Sequence, residues 1–470
     1  MSIQLVIVCL YIAMLFGISF WVKRRADQGS TEYLLAGRKF GPWIIGVNVT
    51  GMAVGAASTV GVAERAFSVG MAAGWYNGAW AIGAITMGIV AAAKIRSAEV
   101  TTVPEFFERY YDTKGRFLCA CGLAIVLAVI ASLQYLAGGA ILSALMPDVF
   151  TFKTGMLASA VVFIGITLIG GMWSSGLANV VSVILIYGGI LVCCWASLDQ
   201  VGGWATLATK VPEPYFMDPM GGLPMAVILG WIFVMMTQTI TNQGPVQLVC
   251  GAKDAKTARN GYILAGLMIF PVGFLCAIFG LIARVTDPTI VPAMALPKVI
   301  MSLNPLASGI TLAAMWAADV STACTILLSC GTLVSTDIYK RFMNPNVDEA
   351  KYVRINRLVI IGVGALTLWL AFNALGIVKT MLAGLSMTTG TTCVFLFTVF
   401  APGLCRKSHV FWVTLASLIG IPMYKYIPAL TKTFPHEIYF LWALCLVVFF
   451  VVSAVSKDKI KTPDFSEKAA

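Results

Sequence analysis

The chain has 470 residues, of which 59% are hydrophobic and only 11% charged, where a soluble domain carries about 25% charged residues. Mean hydropathy is +0.88 and the formal net charge is +11. This composition excludes an ordinary soluble domain and points to an all-α polytopic membrane protein.

Apolar runs of about twenty residues, the length a helix needs to cross a bilayer, recur along the whole chain. They predict thirteen spans, at roughly 3–22, 42–66, 72–94, 116–146, 153–172, 175–198, 223–247, 258–284, 307–336, 355–374, 377–401, 409–427 and 437–455. The first is followed at once by "KRR" with no small-residue cleavage site, which reads as a retained helix rather than a signal peptide. No loop between spans is long enough for a folded domain, so function must lie within the bundle or at its mouths.

With an external N-terminus, the loops that become cytoplasmic hold 24 of the 32 Lys and Arg, and 8 fall on the other side. This is the positive-inside bias, and it orients the chain N-out and C-in. The basic balance is therefore a matter of topology, and no nucleic acid partner is implied. The twelve cysteines lie in spans or near their ends and read as small buried apolar residues. His409 and His436 sit at span ends, and no Cys/His cluster has zinc spacing. No phosphate-binding glycine loop, nucleophile elbow or kinase signature is present, so no enzyme is expected.

Two spans carry residues that weaken helices. The second reads "PWIIGVNVTGMAVGAASTVGVAERAF", with glycines at 46, 51, 55 and 61. The seventh, "ILGWIFVMMTQTITNQGPVQLV", turns polar and reaches Asn242, Gln243, Gly244 and Pro245. Counted from the second span, they are first and sixth, the matched positions of interrupted helices in an inverted-repeat transporter. Gly-x-x-x-Gly in "GMAVG" also suits plain helix packing. The ninth span contains "AADVSTACT", which places Asp319, Ser321, Thr322 and Thr325 in an otherwise apolar run. Membrane hydroxyls commonly bond the carbonyl four residues back or pack as small residues, and they also ligate ions.

In order, "EYLLAGRKFGPW", "GAASTVG", "TVPEFFERYY", "IGGMWSSGLANVV", "NQGPVQLVCGAKDAKTAR" and "VSTACTILLSCGTLVSTDIYKRF" resemble the motifs of the sodium:solute symporter family, from about residue 31 to residue 410. The resemblance implies the ten-helix 5+5 inverted repeat called the LeuT fold, preceded by one N-terminal helix. It divides the chain into 1–41 (extra helix and loop), 42–200 (core helices one to five), 201–402 (core helices six to ten) and 403–470 (two added helices and a tail). It also implies a sodium site, with carbonyls at Gly51 and Val54 in broken core helix one, a carbonyl at Ala318, and hydroxyls at Ser321 and Thr322 in core helix eight. Several oxygens on one face suit a hard cation.

Some positions depart from the family pattern. Where some members carry an acidic second-cation ligand on core helix five, this chain has Asn179, with Ser182 close by. Asp319, with Thr325 and Asn179, is the candidate for a second cation or a proton. Two roles fit Asp319: negative charge or proton uptake beside the sodium, or a hydrogen-bonded structural carboxyl. Solute-binding candidates are Ala53, Ser58, Asn77, Gln134, Met235 and Gln238, of which Asn77 and Gln238 come from matched positions. Amides, hydroxyls and aromatics suit a small neutral or zwitterionic solute.

The expected function is sodium-coupled symport by alternating access, in the plasma membrane of a prokaryote, by a multi-pass monomer in the lipid bilayer. A proton-coupled carrier using Asp319 and a monocarboxylate symporter are the alternatives. A non-transporting sensor and a channel have less in the sequence to support them.

Overall fold

The computed structural model describes residues 3–372 and 377–463; the expected span end at 374 and the tail residues 464–470 lie outside them. Among the described residues the chain is helical with turns, and its two β-bridges, Phe40 to Ala252 and Arg406 to Lys459, are isolated. Helix α1 (Ile3–Ala26) ends on Lys23, Arg24 and Arg25, cations that suit a helix C-terminus.

The expected span 42–66 is broken. Helix α2 (Pro42–Ala53) stops where Val54 takes φ −90°, ψ 62°, and α3 (Val60–Val69) starts after Thr59 at φ −114°, ψ −85°. Helix α4 (Trp75–Met87) continues through a wider π-helical turn towards Ser97. Helix α5 (Thr113–Leu145) is capped by Asp112, whose carboxylate accepts from Gly115 N. The expected spans 153–172 and 175–198 abut in α6 (Phe152–Gln200), where Gly171 turns the axis at φ 53°, ψ −135° with no loop between.

Helices α7 (Met225–Thr241) and α8 (Gln243–Cys250) are bent 49° to each other at Asn242. Then come α9 (Ala255–Thr286), α10 (Pro305–Thr332) and α11 (Glu349–Ala371). Helices α12 (Ile377–Ser386) and α13 (Thr389–Phe400) form a second pair, bent 42°, and α14 (His409–Tyr426) and α15 (Glu437–Val455) pack together at the end. Among the described residues, seven helices are long and apolar enough to cross a membrane, or nine if each bent pair is one span.

The helix carrying the hydroxyl cluster is the central one. The most apolar stretch of the α10 segment is 94% buried, against 28% for those of α11 and α15, which stand at the rim. Helix α6 packs on α10 and on α1, while α9 packs on α2, α3 and α4. In this way α10 and both halves of the first broken helix are held inside the bundle.

The end of the bundle that bears the basic loops is closed by polar clasps. Asp337, fully buried just beyond α10, accepts from Thr102 Oγ1 at 3.0 Å and from Arg116 Nε and Nη2 at 2.9 and 2.6 Å. Arg116 also pairs with Glu108, which Arg341 holds at 2.8 Å. Burial would raise the Glu108 carboxyl, but the hydrogen bonds from Arg341 and Arg116 hold it below the usual carboxylate range. Gln243, at the start of α8, accepts from Val103 N at 3.0 Å and donates to Thr101 O at 3.1 Å. Outside these clasps lies a vestibule of about 320 Å³, lined in part by Arg116, Lys340 and Tyr352.

Candidate functional site

The expected sodium ligands converge at the first break. Thr322 Oγ1 donates to the Gly51 carbonyl at 2.8 Å, and Ser321 Oγ lies 3.4 Å from the same oxygen. Ser321 Oγ also donates to Ala318 O at 2.9 Å. Four of the five expected oxygens are thus gathered between α2 and α10. The fifth belongs to Val54, whose N–H makes the last rung to Thr50 O at 2.8 Å while its own backbone leaves the helix. These donors are neutral carbonyls and hydroxyls, a set suited to a hard monovalent cation. Gly51, Ala318, Ser321 and Thr322 would hold sodium here, and the bound ion would supply positive charge that draws α2 and α10 together.

Close approach explains why position 51 is glycine. A Cβ there would fall 2.6 Å from Asn179 Oδ1, on α6. Asn179 donates to Asn48 Oδ1 at 2.9 Å, and Asn48 donates to Ile44 O and Gly176 O, so this amide pair ties α2 to α6. Asn179 Oδ1 itself is buried without a hydrogen-bond partner. Nearby, Tyr11 of α1 shares a 2.7 Å hydrogen bond with Ser182.

Asp319 is fully buried, and neither carboxylate oxygen has a hydrogen-bond partner. Buried polar groups are nearly always paired, so this carboxyl is a place for a proton, a water or a cation. Thr325, in contrast, is satisfied within its own helix, donating to Ser321 O at 3.0 Å.

A small cavity of about 30 Å³ lies between the two breaks. Ala53, Gly55 and Ala57 line it from the first break, Asn242, Gly244 and Pro245 from the second. Gln134 of α5, Trp80 of α4, Thr322 and Ile326 of α10, and Met381 and Leu385 of α12 complete most of its wall. Of the expected solute residues, Ala53 and Gln134 line this space. Ser58 turns back to the Ala53 carbonyl, and Gln238 accepts from Asn242 Nδ2 at 3.1 Å, one residue removed from the wall. Met235 and Asn77 do not line it. The Met235 backbone backs onto Gly83, and Asn77 packs on Gly273 with both amide atoms unpaired.

Asn242, read from the sequence as part of the "NQGP" break and not as a solute residue, also lines the wall. Met381 and Leu385 carried no signal beyond being apolar.

Comparison with known proteins bears on this arrangement. The Sodium:solute symporter family model matches residues 33–410. The chain is 23% identical to a sodium/glucose cotransporter of Vibrio parahaemolyticus, over 98% of this chain and 90% of that protein. It is also 23% identical to a sodium/proline symporter of Haemophilus influenzae, over 93% of each. Among solved structures, a Na+-coupled sialic acid symporter in a substrate-bound outward-open state has the same fold (TM-score 0.82, 16% identity, 98% of this chain and 100% of that one). A nucleobase-cation-symport-1 family transporter in a closed conformation is a more distant match in fold (TM-score 0.62, 14% identity, 91% and 93% covered). The relatives are transporters rather than enzymes, and sodium is the coupling ion. The match across 33–410 shows that the chain belongs to the sodium:solute symporter family.

Proposed function

We propose that the chain is a secondary active symporter that imports a small polar solute, neutral or zwitterionic, together with sodium by alternating access. The observation that carries this reading is the convergence of the Gly51 and Ala318 carbonyls with Ser321 and Thr322 at one helix break, beside a cavity whose far wall is the other break. The cavity wall offers amides and a hydroxyl, and no charged side chain lines it among the described residues, which suits an uncharged or internally balanced solute. A monocarboxylate would find no fixed cation there, so that alternative has less support.

Sodium binding between α2 and α10 favours the state in which the basic end is closed, and the clasps around Asp337 are what must open for release. Asp319 adds negative charge on the helix of the ion ligands, and its unpaired oxygens support a second cation contact, with Asn179 at the first break. Thirteen spans, N-out and C-in in a prokaryotic inner membrane, place the clasped end in the cytoplasm. The two repeats run 42–200 and 201–402, and a single chain suffices as the transporting unit.

The test is titration of purified full-length protein with sodium, against potassium at matched ionic strength, read by tryptophan fluorescence. A saturable response specific to sodium is expected, weakened about tenfold or more in Ser321→Ala and Thr322→Ala. Asp319→Asn should lower cation affinity as well. No sodium response, with a change driven by pH alone, would overturn sodium coupling in favour of a proton-coupled carrier. Uptake into vesicles driven by a sodium gradient then separates a carrier from a protein that only binds.

A further inference from the structure

We propose that Gln134 is a positioning residue that holds the first helix break in its unwound form and so ties the solute cavity to the sodium ligands. The inference rests on the sodium reading above.

Unwinding residues 54–59 leaves backbone groups without helical partners, and a buried N–H left unpaired is costly. Ala56 N is such a donor, and its partner comes from α5: Gln134 Oε1 accepts from it at 3.0 Å. Gln134 is fully buried, and its Nε2 is anchored by donating to Ile130 O at 3.3 Å. The amide is thus fixed from its own helix and aimed at the break.

The same oxygen sits beside the ion ligands. A Cβ built on Gly55 would fall 2.8 Å from Gln134 Oε1 and 2.6 Å from Thr322 Oγ1. Gly55 is therefore wedged between the amide that holds the break and the hydroxyl that contacts Gly51 O. A shift of the break away from α5 presses Gly55 on Thr322, and a shift towards α5 draws it off. Gln134 also lines the cavity, and a primary amide has two N–H donors, of which Ile130 takes one. The second is left for a solute, which can engage Gln134 without releasing Ala56. One side chain thus faces the solute, fixes the backbone of the break and borders a sodium ligand.

A plain solute ligand would change solute affinity alone. A positioning residue changes sodium binding with no solute present. The experiment is the fluorescence titration with sodium, in solute-free full-length protein, for Gln134→Met and Gln134→Glu. Methionine keeps the length and removes the acceptor, and half-saturation should move to about tenfold higher sodium. Glutamate keeps an acceptor for Ala56 N–H, and sodium binding should be retained.

Two results would overturn the proposal. One is a methionine variant that binds sodium like the native chain while losing uptake, which makes Gln134 a solute ligand only. The other is a glutamate variant as impaired as the methionine one, which makes side-chain fit rather than the acceptor decisive. Should the methionine variant not purify in folded form, the glutamate variant alone decides, since loss of sodium binding there contradicts the role. A native chain with no sodium response removes the sodium reading itself, and this inference with it.

Discussion

At Gly51 one missing methyl group lets three helices meet. Its carbonyl takes the hydroxyl of Thr322, while the side without a Cβ faces Asn179 Oδ1. Gly51→Ala should push α2 away from α6 or from α10, and either displacement spreads the ion ligands. We expect sodium half-saturation to rise about tenfold. Asn179→Ala should recover part of that loss when combined with Gly51→Ala, and a double-mutant cycle on sodium binding measures the coupling. Additive effects would show that the two residues do not compete for the same space. The expectation at Ser321 and Thr322 comes from the resemblance of "VSTACTILLSCGTLVSTDIYKRF" to the family's core helix eight, since a Ser-Thr pair in an apolar run suits plain packing as well. The contacts of Asn179 with Asn48 and of Gln134 with Ala56 join residues far apart in the chain, and no short pattern encodes such a meeting.

Broken helices are the elements on which the proposed mechanism turns, and they differ in how plainly they are written. The second break follows from "NQGP": Asn242 leaves the helix, its side chain accepts from Gly244 N at 3.4 Å, and Pro245 sits in the first turn of α8. The first break holds no proline, and "GAAST" tolerates a helix; its unwinding depends on partners supplied by α5 and α10. The bend between α12 and α13 was read as a continuous span. At the bend Ser386, Thr388, Thr389 and Thr391 each donate to a carbonyl three or four residues earlier, a bonding pattern that often accompanies bent helices.

The clasp at the basic end joins Thr102 and Arg116, before and within α5, to the tail of α10 through one carboxylate. Asp337→Asn removes one of the two carboxylates that compensate Arg116, the other being Glu108, and should cost part of the about 3–5 kcal/mol lost where a buried pair is broken. The variant should favour the state open at this end. A cysteine at Thr101, whose carbonyl Gln243 holds, should then react faster with thiol reagents from that side, by about tenfold or more. An unchanged rate would mean that the gate is held elsewhere.

For the whole molecule, hydropathy was the most informative signal, because a bilayer constrains every span in the same way. The ends of α9, α10 and α15 fall within a few residues of the apolar runs that announced them. What lay beyond reach was the meeting of distant segments, as where Met381 and Leu385 reach the cavity. Orientation can be checked directly. Cysteine placed at Lys210 should react with an impermeant thiol reagent on intact cells, and cysteine at Lys407 only after lysis. The reverse pattern would invert the topology. Of the native cysteines only Cys9 is exposed and Cys121 half-buried, so background is low.

The cavity between the breaks has a consequence for pharmacology. At about 30 Å³ it has room for a water molecule or two, so a solute is accommodated only when the breaks part. A compound that satisfied Asn242 and Gln134 but carried a bulky apolar extension along Met381 and Leu385 would bind and then prevent the breaks from closing again. It would act as a competitive blocker that is never carried, and its potency would grow with that extension while uptake of the compound itself stayed at zero.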